Sequence, residues 1–313
     1  MGEALTRKPQ RRRFLVEYRA TRGPRPGGSE RLPLFGLRQT IARTFPCLAA
    51  CGLLTHIPPN GRIGNLHREE TVKGVVLAGG LGTRLYPLTK ITNKHLLPVF
   101  NRPMVTYPVE CLVRAGIRDV LIVTGGNNPG DFLRLLGNGK EYGVEKINYA
   151  YQEGEGGIAD ALSLAENYAA GGRICVVLGD NIIEKNIASA VEEYRTQPRG
   201  AKILLKRVDD PQRFGVPVIE DGKLVKIIEK PVKPPTSFAV IGIYLYDEQV
   251  FDFIRSLTPS ERGELEITDV NNMYIQRGAM TWSELEGWWT DAGTFDSLLK
   301  ASNLVAQGGA NND

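Results

Sequence analysis

A doubly wound, mostly parallel α/β sheet is the fold class that this sequence predicts, and three observations predict it. Apolar, β-branched runs recur at residues 74–78 (GVVLA), 119–124 (DVLIVT) and 173–179 (RICVVLG), with the length and content of strands buried on both faces. Helix-length segments with apolar periodicity separate them, which is the spacing of βαβ units. The first run breaks at once into Gly79-Gly80-Leu81-Gly82, where three glycines permit backbone angles and close approaches that side chains would forbid.

The elements follow in order. Residues 103–116 read as a helix with a glycine stop, and 127–136 as a second helix ending at Gly137. Residues 146–151 form a third strand. Gly156-Gly157 precede a helix whose Ile158, Leu162 and Ala165 bury one face. A helix over 187–195 and a strand over 201–206 come after the fourth strand. The pattern then changes to a hairpin around Asp221-Gly222, a pair that favours a type I′ turn. Pro231 biases Lys230 toward extended geometry at the end of the second hairpin strand. Residues 239–246 (AVIGIYLY) are another buried strand, and 263–269 (GELEITD) lead into a helix, with Glu266 and Asp269 expected to be architectural. Gly287 to Thr294 (GWWTDAGT) hold Asp291 in a constrained turn, where the tryptophans are assigned no chemistry. A terminal helix over 295–305 closes the domain, and 307–313 are expected to be mobile.

Composition bounds the function. The 313 residues suffice for one large α/β domain or two medium ones. With 42% hydrophobic and 24% charged residues the chain has the make-up of a globular protein. No apolar run approaches membrane-spanning length, so no membrane partner is expected. Cys111 and Cys175 sit in apolar contexts as core thiols, and Cys47 and Cys51 lack a second ligand pair. A reducing compartment, the cytoplasm, fits. Residues 1–71 carry twelve Arg, one Lys and five Glu, a net +8, against +4 for the whole chain, which leaves −4 on residues 72–313. The basicity therefore belongs to the leading segment, and the main body is not expected to bind nucleic acid.

That leading segment has no sustained periodicity and contains Pro-Arg-Pro-Gly-Gly-Ser at 24–29. A disordered basic tail and an Arg-rich targeting peptide are two readings, the latter disfavoured by Glu3, Glu17 and Glu30. The third, favoured here, is a mis-assigned start. Val72 is what a GTG start codon gives when read internally, and Arg68-Glu69-Glu70 can be encoded by a purine-rich run resembling a ribosome-binding site.

The chemistry-bearing positions start with the glycine turn. Leaving a parallel strand, it presents backbone N–H groups to an anion, and Arg84 and Lys94 can neutralise phosphate charge. This reads as a polyphosphate site. A P-loop is excluded because no Lys-Ser or Lys-Thr follows Gly82. The dinucleotide fingerprint lacks its third glycine at Leu85, and Asn101-Arg102 occupy the place of the ribose acid. Gln152 has an amide that suits the imide edge of thymine or uracil, although a surface Gln is the plainer reading. Asp180 ends a strand where open α/β sheets place ligands. There it is a turn residue, a helix cap or a ligand of Mg²⁺, which takes one or two carboxylates plus phosphate oxygens.

Residues 79–89 (GGLGTRLYPLT) followed by 93–104 (NKHLLPVFNRPM) resemble the opening signature of the sugar-1-phosphate nucleotidyltransferases, most closely the glucose-1-phosphate thymidylyltransferase branch. The resemblance runs from about Val72 to about Ala306, with several separated motifs in order. It implies a Rossmann-like sheet carrying an inserted β-hairpin sugar-binding region. It also implies a Mg²⁺-dependent condensation of a nucleoside triphosphate, dTTP first, with glucose 1-phosphate to give dTDP-glucose and pyrophosphate. Arg84 and Lys94 would be catalytic. Leu77, Gly79, Gly80, Gly82, Thr83, Gln152 and Gly157 would bind the nucleotide. Gly215, Glu229, Lys230 and Gly242 would bind the sugar phosphate, Gly242 by letting the sugar approach the backbone. Asp180 and Asp291 would hold the metal. One departure weakens the base and sugar assignment more than the reaction class: Asp160 stands where the branch commonly has Gln. A UTP-dependent uridylyltransferase is the runner-up. A non-catalytic regulatory subunit on the same fold and a nicotinamide oxidoreductase are the other classes, and a homo-oligomeric state is left open.

Overall fold

The structure, a computed structural model, describes residues 71–126 and 128–313. Every expectation placed on residues 1–70 lies outside the described residues.

The chain enters the sheet at β1 (Lys73–Ala78), then makes a short hairpin, β2 (Pro98–Val99) and β3 (Arg102–Pro103). Three βαβ-type units follow through α1 (Thr106–Arg114), β4 (Asp119–Gly125), α2 (Pro129–Leu136), β5 (Lys146–Gln152), α3 (Ile158–Ser163), α4 (Glu166–Ala169) and β6 (Ile174–Leu178). β1 lies between β4 and β6, parallel to both, and β5 extends the parallel block beyond β4. Alternate residues of β1 face opposite sides. Val76 and Ala78 join one core with α1, α2 and Tyr194, while Val75 and Leu77 join a second core with α3, Phe253 and Tyr274. Burial on both faces is the reason these strands read as unbroken apolar runs.

The second half of the chain turns the sheet mixed. β7 (Asn181–Ile183), α5 (Ala188–Thr196), β8 (Ala201–Arg207), the hairpin β9 (Gly215–Glu220) and β10 (Lys223–Glu229), and β11 (Phe238–Tyr246) come next. α6 (Gln249–Ser256), α7 (Ile267–Gln276), β12 (Met280–Glu284), β13 (Trp289–Asp291) and α8 (Phe295–Gly308) complete the fold. β11 runs antiparallel to β6 at Ile243–Tyr246 and antiparallel to β8 along its length, and its Val240 meets Gly215 of β9. The hairpin turn has Asp221 at φ 48° and Gly222 at φ 74°, the two positive φ values that a type I′ turn requires.

Away from the large sheet, β7 and β13 form an antiparallel pair that sets Asp291 opposite Asn181. A third core backs this pair, built from Ile182, Ala292, Val99, Met104, Tyr107 and the α8 residues Ala301 and Val305. α8 begins with a capping box in which Thr294 and Ser297 satisfy each other's backbone N–H groups.

Three expectations are corrected. The tail after residue 306 is docked, because Asn311 is 1% exposed, its N–H donates to Ile183 O and its amide donates to Tyr107 O. Lys230 is not extended but has φ 43°. Its N–H closes the hairpin onto Phe214 O at 3.0 Å, and that bond, with the hairpin pairing it completes, offsets a local strain of about 1–3 kcal/mol. Gly242 does not leave space for a ligand above its Cα. A Cβ there would stand 2.6 Å from Leu178 Cδ1 and 2.7 Å from Asn181 Nδ2, so the missing side chain admits protein. Gly242→Ala is therefore expected to lower stability by about 1–3 kcal/mol through overpacking, read as a reduced urea midpoint at unchanged m-value.

Candidate active site

The floor of the site is the C-terminal end of β6. Asp180 follows that strand after Gly179 and is 8% exposed. Its Oδ2 accepts a hydrogen bond from Lys94 Nζ at 2.6 Å, and its Oδ1 accepts one from Asn181 Nδ2 at 3.0 Å. Burial, the largest single influence, would raise the Asp180 carboxyl, but the Lys94 charge, His95 and the hydrogen bonds from Lys94 and Asn181 together hold the group below the usual carboxylate range. Removing one partner of such a pair leaves a buried charge alone, at a cost of about 3–5 kcal/mol.

Asn181 is locked in turn. Its Oδ1 accepts from Gly242 N at 2.9 Å and from Trp289 Nε1 at 2.7 Å. Trp289, which carried no predicted role, thus fixes the residue that orients Asp180. Nothing in the spacing of Trp289 and Asn181 announces that bond, because it exists only through the β7–β13 pairing.

Asp291 reaches the same place from the other end of the chain. Ala292 N donates to Asp180 O at 2.8 Å, which ties the two carboxylate-bearing segments together. Burial, and next the negative charge of Asp180, raise the Asp291 carboxyl, while Arg213 and Arg84 act against the rise. Arg213 Nη2 lies 3.2 Å from Asp291 Oδ2. Arg84 is exposed, and its Nη2 lies 3.0 Å from where a Cβ of Gly293 would stand. The structure therefore places Lys94, Asp180, Asp291, Arg84 and Arg213 in one neighbourhood.

The donors offered to a metal are carboxylate oxygens, the ligand type of a hard divalent cation. The two carboxylates lie close enough for the charge of Asp180 to raise Asp291, and each already has a cationic side chain beside it, Lys94 on Asp180 and Arg213 on Asp291. Among the described residues no group of three or more His, Cys, Asp or Glu side chains clusters. Such a pair suits an ion that completes its shell with phosphate oxygens rather than one caged by protein.

The glycine loop lies beside this pair. Gly82 has φ 63°, and a Cβ there would meet Lys94 Cβ at 2.9 Å and Thr89 Cγ2 at 3.0 Å. Only glycine lets the Lys94 stem pass to Asp180. Gly80 has φ 88° with open space above it, and Thr83 is exposed next to it. Leu81 N donates to Glu155 Oε1 at 3.0 Å, so an anionic group already stands on a loop amide. Asn93 anchors the segment, its Nδ2 donating to Gly125 O at 3.0 Å while its Oδ1 accepts from His95 N at 3.0 Å. Asn93 carried no predicted role either.

Gln152 ends β5 and is 5% exposed, and its Oε1 lies 2.6 Å from where a Gly79 Cβ would stand. Two neighbouring candidates are engaged with the protein itself. Leu77 is buried in the core, with its carbonyl accepting from Gly179 N at 2.8 Å. The Cα of Gly157 packs on the chain opposite, where a Cβ would stand 2.7 Å from Leu265 O, and its own carbonyl accepts from Gln152.

On the hairpin side, Glu229 Oε2 accepts from Thr268 Oγ1 at 2.6 Å, and its Oε1 faces Lys230 Nζ at 3.3 Å and Arg262 Nη2 at 3.5 Å. Gly215 is paired with Glu229 in the hairpin, and a Cβ there would stand 3.6 Å from Glu229 Oε2. Tyr244 of β11 links this group to the floor: burial and then the charges of Glu229 and Asp180 push its hydroxyl up. Glu266 is architectural as expected, bonded to Arg262 and Ser260.

With this geometry in place, the nucleotidyl transferase family description matches residues 73–308. The chain belongs to the nucleotidyl transferase family. A glucose-1-phosphate thymidylyltransferase of Neisseria meningitidis is 42% identical over 238 residues, spanning 75% of this chain and 82% of that protein. A Bacillus anthracis crystal structure, assigned as a glucose-1-phosphate thymidylyltransferase and solved with sucrose, is similar at TM-score 0.72 and 52% identity over 75% of this chain and 95% of that one. A UDP-glucose pyrophosphorylase solved with UDP-glucose is similar at TM-score 0.66 and 23% identity over 76% of this chain and 99% of that one, which shows the shared fold alone. The match of this nucleotidyl transferase starts where β1 starts.

His95 supplies a test of the site's stability. It is buried, its Nδ1 lies 2.8 Å from Asn93 Oδ1, and burial followed by the Lys94 charge lowers it to about 3. The folded value lies below the unfolded one, so the unfolded chain takes up the proton first. Stability is complete above about 6.5 and falls progressively toward pH 3. Asp180, also lowered, adds to the loss at the acid end, while Asp291, raised, opposes it there. The melting temperature is expected to fall between pH 6.5 and 4.5, and His95→Asn to flatten that slope whatever its effect on absolute stability.

Proposed function

We propose that this chain transfers a thymidylyl group from dTTP to glucose 1-phosphate, releasing pyrophosphate and forming dTDP-glucose. The observation that carries the reading is the meeting of Asp180 and Asp291 at the end of β6, with Lys94, Arg84 and Arg213 around them and a glycine loop alongside. The names of the relatives supply the substrates.

In this reaction a phosphate oxygen of the sugar 1-phosphate bonds to the α-phosphorus of the nucleotide, and the bond from that phosphorus to the β-phosphate oxygen breaks. The attacking oxygen is already anionic, so no general base is needed. His95 fits that expectation, being buried, hydrogen bonded to Asn93 and neutral near pH 7. Catalysis rests on alignment and charge stabilisation. Gly79, Gly80, Gly82 and Thr83 border the triphosphate, and Arg84 faces the departing pyrophosphate. Lys94 exchanges part of its bond with Asp180 for the α-phosphate. Lys230 takes the sugar phosphate and Glu229 the sugar hydroxyls. Asp180 and Asp291 are the residues that would hold Mg²⁺, which when bound neutralises phosphate charge. The free, buried thiols of Cys111 and Cys175 support a reducing compartment, the cytoplasm, as the place of action.

Pyrophosphate release from dTTP, Mg²⁺ and glucose 1-phosphate tests the reading. Chelation by EDTA is expected to abolish it, and Asp180→Asn to lower kcat by about 10²–10³ with the far-ultraviolet dichroism retained. Near-wild-type turnover in that variant would count against the assignment. UTP is the competitor to run beside dTTP, because the bases share one hydrogen-bonding edge and differ by a methyl group, a difference of about 1–3 kcal/mol in a pocket.

A further inference from the structure

We propose that Asp160 is a positioning residue that fixes the orientation of the Gln152 amide, so that the nucleotide pocket offers an acceptor and selects a base with an N–H at that edge. The inference rests on the nucleotidyl-transfer reading above and extends it to how the base is chosen.

Gln152 Nε2 donates to Asp160 Oδ2 at 2.7 Å and to Gly157 O at 3.2 Å. An amide nitrogen has two hydrogens, so both are committed. Each partner, an ionised carboxylate and a backbone carbonyl, can only accept. Neither tolerates the flipped amide, which fixes on chemical grounds an orientation that electron density would leave ambiguous. The remaining polar atom, Oε1, lies beside the glycine loop at Gly79, and no donor bonds it among the described residues. The wall at this point is an accessible acceptor on an otherwise buried side chain, with its donors turned away.

An imide N3–H, as in thymine or uracil, donates to such an acceptor. Cytosine presents a lone pair at the same ring position, and two lone pairs then face each other. Without a fixed orientation the amide could turn its NH₂ outward and read cytosine equally well. Asp160 also sits in the first turn of α3, where a carboxylate favours the helix N-terminus. That structural contribution would affect every nucleotide alike, whereas orientation of Gln152 affects the choice between bases.

The experiment measures kcat/KM for dTTP, UTP and dCTP with glucose 1-phosphate and Mg²⁺ in the wild type, Asp160→Asn and Gln152→Ala. Asn at 160 can donate as well as accept, so it removes the stronger of the two contacts that oppose the flipped Gln152 and leaves only the 3.2 Å bond to Gly157 O. The expected result is a dTTP:dCTP ratio about tenfold or more lower in Asp160→Asn, mostly through KM, with the dTTP:UTP ratio unchanged. Both nucleotides are assayed on one preparation, so the ratio does not depend on the folded fraction. Asp160→Ala provides the same comparison should the Asn variant be insoluble. An unchanged dTTP:dCTP ratio in the Asp160 variants overturns the proposal. If Gln152→Ala meanwhile collapses that ratio, only the role of Asp160 falls and the functional reading stands. Absence of pyrophosphate release from wild type with all three nucleotides overturns both.

Discussion

The contact on which the rest of the site depends is the hydrogen-bonded ion pair between Lys94 and Asp180, 2.6 Å long and largely shielded from water. A buried carboxylate is tolerable only with a cation and donors around it, and these come from every part of the chain. Lys94 reaches it because Gly82 has no side chain in the way. Asn181 braces it from the next position, Trp289 and Gly242 brace Asn181, and Ala292 N bonds the Asp180 carbonyl. The core beneath β7 and β13 keeps the second carboxylate from drifting away. In a nucleotidyl transferase this arrangement has a plain use. Substrates that bring several negative charges need a fixed pattern of opposite charge, and the pattern is held by neutral groups whose own bonds are all made.

The two halves of the chain divide the work. The parallel half, from β1 to β6, delivers the glycine loop, Lys94, Gln152 and Asp180 at the C-terminal ends of its strands, where the topology leaves a crevice. The later half adds antiparallel strands, a hairpin and a clip, and supplies Glu229, Lys230, Arg213 and Asp291. The first half alone would offer a nucleotide loop and one carboxylate. The second adds the other carboxylate and a hairpin with its own charged pair, Glu229 and Lys230.

Much of this was legible in the sequence. The parallel strands showed themselves as apolar runs because they are buried twice, and the glycine loop, which alone fits an ordinary turn, stood out because Arg84 and Lys94 follow it. Asp180 and Asp291 stood out as carboxylates at a strand end and in a glycine turn. What escaped were the residues whose roles exist only through tertiary pairing. Asn93, Trp289 and Arg213 carry no local signature, since each acts on a partner distant in sequence. Lys230 misled the local rule for residues before proline, because closing the hairpin onto Phe214 O outweighed the backbone preference. Leu77, Gly157 and Gly242 are motif positions whose side-chain or Cα surfaces serve packing. Asp160 was visible only as a departure, and its bond to Gln152 gives it a physical meaning.

The docking of residues 310–312 carries a consequence for the order in which this molecule comes into being. Asn311 and Asn312 donate their N–H groups to the carbonyls of Ile183 and Glu184, the strand beside Asp180. A growing polypeptide can assemble its parallel half early, since those neighbours emerge from the ribosome first. The wall behind the carboxylates must wait until residue 312 is released. Until residue 312 has emerged, a nascent chain lacks the backbone bonds that brace the strand following Asp180, although every charged side chain of the site has already been made.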